Sequence, residues 1–109
     1  MSGDFGVRMP DLSDPALNAA FEHFGGDLQG KRVLDLGFGD AASSLFFARA
    51  GAHVVAVDNS AVAVENLSNY CNRVGITNIS PNCLSANEIA TVAPVDHIFG
   101  SMILHQPPR

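Results

Sequence analysis

The chain has 109 residues, 47% of them hydrophobic and 16% charged, which places it among single globular domains rather than disordered segments. Its net charge is −5 and its six Lys and Arg are scattered, only Lys31 and Arg32 being adjacent, so no basic stripe makes a direct case for nucleic-acid binding. No run approaches the roughly 20 apolar residues that a bilayer span needs, and Met1 to Pro10 lacks the apolar stretch of a signal peptide, so the cytosol is the expected compartment.

Residues 1–12 show no period and are expected to form a flexible arm, with a single domain over 13–109. A helix starts where Asp14 can cap and Pro15 suits the first helical position. Leu17, Ala20, Phe21 and Phe24 recur at helical spacing, and Gly25-Gly26 ends the element. Val33 to Leu36 is a short apolar run, as expected of a strand buried on both faces. A second helix is expected from Asp40 or Ala41, with Ala42, Leu45, Phe46 and Arg49 on one face and Gly51 as its stop. The second strand, His53 to Val57, ends on Asp58. A third helix follows, capped by Ser60, striped by Val64, Leu67, Cys71 and Val74, and stopped by Gly75. Ile76 to Cys83 predicts a third strand whose Pro81 suits a sheet edge. Leu84 to Ala93 is less readable, and Val95 to Leu104 predicts a fourth strand. Cys71 and Cys83 lack metal-site or redox spacing and read as buried free thiols. The fold class is therefore α/β, a Rossmann-like doubly wound parallel sheet with an N-terminal helix.

Function is concentrated in Arg32-Val33-Leu34-Asp35-Leu36-Gly37-Phe38-Gly39-Asp40-Ala41-Ala42. A strand here runs into a turn that needs bare backbone, and a helix opens behind it with free N–H groups. Asp35 at the strand's mouth would repel a pyrophosphate but suits an ammonium. Asp58 lies nineteen residues after Gly39, near the roughly 20-residue spacing of an acid that binds ribose hydroxyls.

These residues resemble motif I of the class I S-adenosylmethionine-dependent methyltransferases, acid-x-Gly-x-Gly-x-Gly. Asp35, Gly37 and Gly39 match, and Ala41 stands where the third glycine is usual. Val57-Asp58-Asn59-Ser60 resembles the next motif. The likeness extends over roughly residues 14 to 105. It implies S-adenosylmethionine as cofactor and a sheet of order 3-2-1-4. By that likeness Asp35 holds the methionine end, Gly37, Phe38 and Gly39 pass beside the cofactor, and Asp58 takes the ribose with Asn59 at the adenine. Asn87, or Ala86 through its backbone, would meet the adenine amino group. Ser101 would face the methionine end. His105 is a candidate base without a visible partner; the acceptor, expected to be a small molecule, cannot be named from the residues.

The resembling fold has seven strands and this chain predicts only the first four. That suggests the cofactor-binding part of a longer enzyme, or a truncated product. An open fourth strand suggests self-association or a complementing chain. Two other readings stand beside the methyltransferase. Gly37-x-Gly39-x-x-Ala42 also satisfies a nicotinamide-dinucleotide pattern, which would make the chain an oxidoreductase fragment. A non-catalytic nucleotide-binding or interaction module is the other.

Overall fold

The computed structural model of the chain describes residues 6–85, 88 and 94–100. Strands β1 (Arg32–Leu36), β2 (His53–Asp58), β3 (Ile79–Cys83) and β4 (His97–Phe99) form one sheet in the order β3-β2-β1-β4. All its pairings are parallel, which requires crossovers, and helices supply the first two. The helices are α1 (Pro15–His23), α2 (Ala42–Arg49) and α3 (Ala61–Val74).

The helix ends follow local chemistry. Asp14 Oδ1 accepts the Ala16 and Leu17 amide hydrogens at 2.8 and 3.3 Å, satisfying two orphan donors of α1. Ser60 Oγ accepts from Ala63 N at 3.2 Å at the start of α3. Gly75 closes α3 in the left-handed region, its N–H reaching the Cys71 carbonyl. Helix α2 begins at Ala42, one or two residues later than the sequence suggests, because Ala41 itself is left-handed at φ 71° and serves as an N-cap without a side-chain bond.

Residue alternation along β1 divides the interior. Val33 joins the main core with Leu28, Leu45, Phe47, Val54 and Leu67, beneath the helices. Leu34 and Leu36 face the other way and pack with Val55 and Val57, against Leu84 and Val95 of the β3–β4 crossover. Asp35 shares Val33's side of the sheet, so its carboxylate points toward α2.

Several expectations change. The third strand starts at Ile79 rather than Ile76, because Asn78 Nδ2 donates to the Ala48 and Ala52 carbonyls and pins the segment before it to the end of α2. Pro81 lies in that strand, which is an outer strand of the sheet, as a missing N–H demands. Val74 is exposed: the face of α3 turned to the sheet ends at Cys71, one turn earlier. Arg49 is exposed as well, and the buried arc of α2 instead takes in Ser44 and Phe47. Cys71 is buried but Cys83, at the end of the outer strand, is exposed; both are free thiols. Within the expected loose arm, Val7 is buried in the main core and Arg8 N–H donates to the Asp40 carbonyl at 2.9 Å. Of the predicted fourth strand, residues 101–104 lie outside the described residues. Among the described residues no helix is long and apolar enough to cross a membrane.

Candidate functional site

The carboxyl ends of β1 and β2 lie side by side, and the backbone leaving β1 turns sharply between them. Gly37 and Gly39 take φ of 72° and 58°, conformations that a side chain would strain. Gly37 N–H donates to the Val57 carbonyl at 2.7 Å, extending the β1–β2 ladder past the last paired residue of β1. Among the described residues, its chain neighbours aside, no atom lies within 4 Å of where a Gly39 Cβ would stand, so that side of the turn can face a ligand.

Asp58 braces this turn. Its Oδ2 accepts the Gly39 amide hydrogen at 3.0 Å and its Oδ1 accepts that of Ser60 at 2.9 Å. A carboxylate offers about four lone-pair sites, so each oxygen keeps capacity for one further donor. A pair of vicinal hydroxyls is the ligand chemistry that matches. Asn59, next along, is exposed.

Asp35 is 1% exposed, yet it lines the cleft at the end of β1. Its Oδ2 accepts the Ser43 and Ser44 hydroxyl hydrogens at 2.6 and 2.7 Å, both from the first turn of α2. Its Oδ1 accepts none from a described residue. Burial pushes its carboxyl up to about 6; the two serine bonds oppose that shift and the nearby Asp58 charge adds to it. A carboxylate held in an apolar sheet at such cost is a candidate functional group, and a cation in the cleft would repay the desolvation.

The cleft has a volume of about 230 Å³. Leu17, Gly37, Phe38, Ser43 and Phe99 are among the residues that line it, together with Arg8, whose side chain is mostly exposed. Phe38 has a dual position: its ring belongs to the main core, while the residue also borders the cleft. Phe99 pairs with Asp35 in register and meets Phe47 edge-on at 5.1 Å, which fixes that wall.

Thus Asp35, Gly37, Phe38, Gly39 and Asp58 come together around one turn. Ala86, Asn87, Ser101 and His105 lie outside the described residues. Sequence reasoning missed three participants. Gly100 is buried, and a Cβ there would run into the Leu36 carbonyl, so the end of β4 can approach β1 only without a side chain. Ser43 and Ser44 hold Asp35; a serine pair eight and nine residues beyond an acid, at the opening of a helix, was the available signal. Among the described residues no cluster of His, Cys, Asp and Glu could hold a metal.

A family model described as "Methyltransferase domain" matches residues 33–109. Among solved structures, a SAM-dependent methyltransferase from Aquifex aeolicus is 25% identical with a TM-score of 0.64, over 82% of this chain and 52% of that one. A 16S rRNA methyltransferase from T. thermophilus, in complex with AdoMet and guanosine, is 29% identical with a TM-score of 0.66, over 88% and 26%. A protein-L-isoaspartate O-methyltransferase is likewise 29% identical with a TM-score of 0.66, over 81% and 29%. The chain therefore spans between about a quarter and a half of the length of these proteins. A search of curated proteins finds no match.

Proposed function

This chain belongs to the methyltransferase-domain family, and from that membership we propose that it is the cofactor-binding part of an enzyme that methylates a small molecule, with S-adenosylmethionine as donor. The observation that carries this reading is the pair of acids on one glycine turn. Asp35 sits buried in the cleft with Oδ1 unclaimed by any described residue, and Asp58 carries spare acceptor capacity beside an open backbone.

When bound, the cofactor supplies a methyl group on a positively charged sulfur. The chain's own part is to bind and orient. Asp35 accepts the ammonium of the methionine end, Asp58 accepts the ribose hydroxyls, and Gly37 and Gly39 let the ligand lie against main chain. Asn59 flanks the adenine, with Asn87 or Ala86 at its amino group, and Ser101 serves the methionine end. Positioning of this kind is the main lever for an in-line transfer; a base such as His105 is needed only for an acceptor that must lose a proton. With a net charge of −5 and no basic stripe, this part of the chain gives no direct case for a nucleic-acid acceptor.

The nicotinamide reading loses ground on one bond. The Gly39 N–H, which a pyrophosphate would need, is already given to Asp58, and Asp35 and Asp40 stand on either side of the turn. Calorimetric titration with S-adenosylhomocysteine and with NAD separates the two: binding of NAD alone would sink the methyltransferase reading. The reading also includes association across β4, the outer strand beside β1, where Ile98 is 49% exposed. A concentration-independent monomer in light scattering would count against that association.

A further inference from the structure

A second cavity opens at the other end of the sheet, away from the glycine turn. Arg32 and His53 are the first residues of β1 and β2 and pair in register, on neighbouring strands roughly 4.8 Å apart. Val33 and Val54, one residue on, turn to the main core, so Arg32 and His53 share the opposite face with Val55. Ser80 pairs with Val55 and lies on that face too. Together with Thr77 and Leu84 these four residues line a cavity of about 400 Å³.

Its donors are largely uncommitted. Arg32 Nε donates to the Pro94 carbonyl at 3.0 Å, and both Nη groups are without a hydrogen bond to any described residue. Asp96 Oδ2 takes the Arg32 main-chain N–H, and no described carboxylate forms an ion pair with the guanidinium. His53 and Thr77 are exposed, and their side chains bond to no described residue. Ser80 Oγ accepts from Asn82 Nδ2 at 3.5 Å and keeps its own hydrogen to donate. Among the described residues that line the cavity there is no Asp or Glu.

Four donor side chains around one cavity, with no acid among them, suit an oxyanion. The outer fork of Arg32 can meet two oxygens of a carboxylate or a phosphate with parallel bonds. Imidazole and hydroxyl donors serve the third oxygen that a phosphate has and a carboxylate lacks. The volume is that of a site for an organic ligand rather than a lone ion. Val55 and Leu84, both of the smaller apolar cluster, give a carbon body something to rest on.

We propose that this cavity is a second binding site, for a small organic phosphate monoester. Arg32, His53, Thr77 and Ser80 hold the phosphate, and Val55 and Leu84 take the body. The site lies apart from the cleft at Asp35 and stands whether or not the cofactor reading does.

Amide-resolved NMR titration of the full chain tests it, with phenyl phosphate as the probe and inorganic phosphate and benzyl alcohol as its two halves. Phenyl phosphate should give saturable shifts centred on the amides of His53, Thr77 and Ser80, with Gly37 and Gly39 unmoved. It should bind at least roughly tenfold tighter than either half. Arg32→Met should weaken it by about tenfold. That change also gives up the bond to Pro94, so two variants at exposed positions accompany it. His53→Ala and Thr77→Val should keep the wild-type spectrum elsewhere and each weaken phenyl phosphate about fivefold. Four results overturn the proposal: shifts centred on the glycine turn, no saturation up to about 10 mM, a half that binds as tightly as the whole, or full affinity in both His53→Ala and Thr77→Val.

Discussion

Asp58 Oδ2 accepts the Gly39 amide hydrogen at 3.0 Å, so the acid that ends β2 holds the turn that leaves β1. One side chain therefore shapes the backbone of the site and offers its remaining lone pairs to a ligand. The two roles can be separated by measurement. Asp58→Ala leaves the Gly39 and Ser60 amides to water, which reaches this edge, so it should cost only about 1 kcal/mol in urea unfolding. Affinity for S-adenosylhomocysteine should fall by roughly tenfold or more, since charge-assisted bonds to ribose are lost. Unchanged affinity beside a lowered stability would reduce Asp58 to a brace for the turn.

Asp35 ties stability to pH with a definite sign. Its folded carboxyl titrates at about 6, above the 3.8 of the unfolded chain, so the native state binds more protons between those values. Stability contributed by protonated Asp35 is thus fully present below about pH 4, falls as pH rises to about 6, and is flat above. Asp35→Asn should remove that slope and make the ligand-free protein more stable at pH 7 by on the order of 1–3 kcal/mol. The same substitution should weaken S-adenosylhomocysteine binding, because the ammonium loses its counter-charge. In the wild type, affinity should fall about tenfold per pH unit below 6 as Asp35 takes up a proton. Urea melts and calorimetry across pH 4–8 check both arms. A pH-independent affinity would mean that Asp35 does not meet the cation.

Much of this was legible in residue order. The acid, the two glycines and Asp58 are local signals, and the caps at Asp14 and Ser60 follow from side-chain chemistry a few residues away. The strand order came from the family resemblance, and the sheet agrees with it. What escaped depends on contacts distant in sequence or on dihedral angles. The docking of Val7 and Arg8 needs Asp40, thirty-two residues from Arg8, and nothing in the first twelve residues announces it. The late start of β3 depends on Asn78 reaching back to the carbonyls of Ala48 and Ala52. The exposure of Val74 reflects a buried face of α3 that ends at Cys71, which periodicity alone does not contain.

Gly100 tests how closely β4 must approach β1 at the site. A methyl group there would meet the Leu36 carbonyl and Leu36 Cβ, neither of which can rotate away. Gly100→Ala should cost about 1–3 kcal/mol as the end of β4 shifts, and should weaken ligand binding because Phe99 lines the cleft. Gly39→Ala is the matched control. Among the described residues, its chain neighbours aside, its methyl would meet nothing within 4 Å, so its cost should be the left-handed backbone alone, roughly 1–2 kcal/mol. A Gly100→Ala protein as stable as the wild type by urea unfolding would contradict the close approach of β4 to β1.

Ala41 occupies the third-glycine position of the motif, and its backbone keeps a glycine-like shape, with φ at 71° and no exposed surface. Glycine there would relieve a left-handed strain of about 1–2 kcal/mol. Against that, it would give up a buried methyl worth about 0.8 kcal/mol and loosen the unfolded chain by about 0.4–1 kcal/mol. These contributions nearly cancel, so Ala41→Gly should change stability by less than about 1 kcal/mol. Ala41→Val has no such balance. A β-branched side chain at positive φ is strained further, and its two additional carbons must be taken up where Ala41 is already fully buried, so a loss of at least about 3 kcal/mol is expected. Paired urea unfolding curves decide the matter: a valine as well tolerated as glycine would place Ala41 outside the left-handed region, and the opening of α2 would have to be drawn differently.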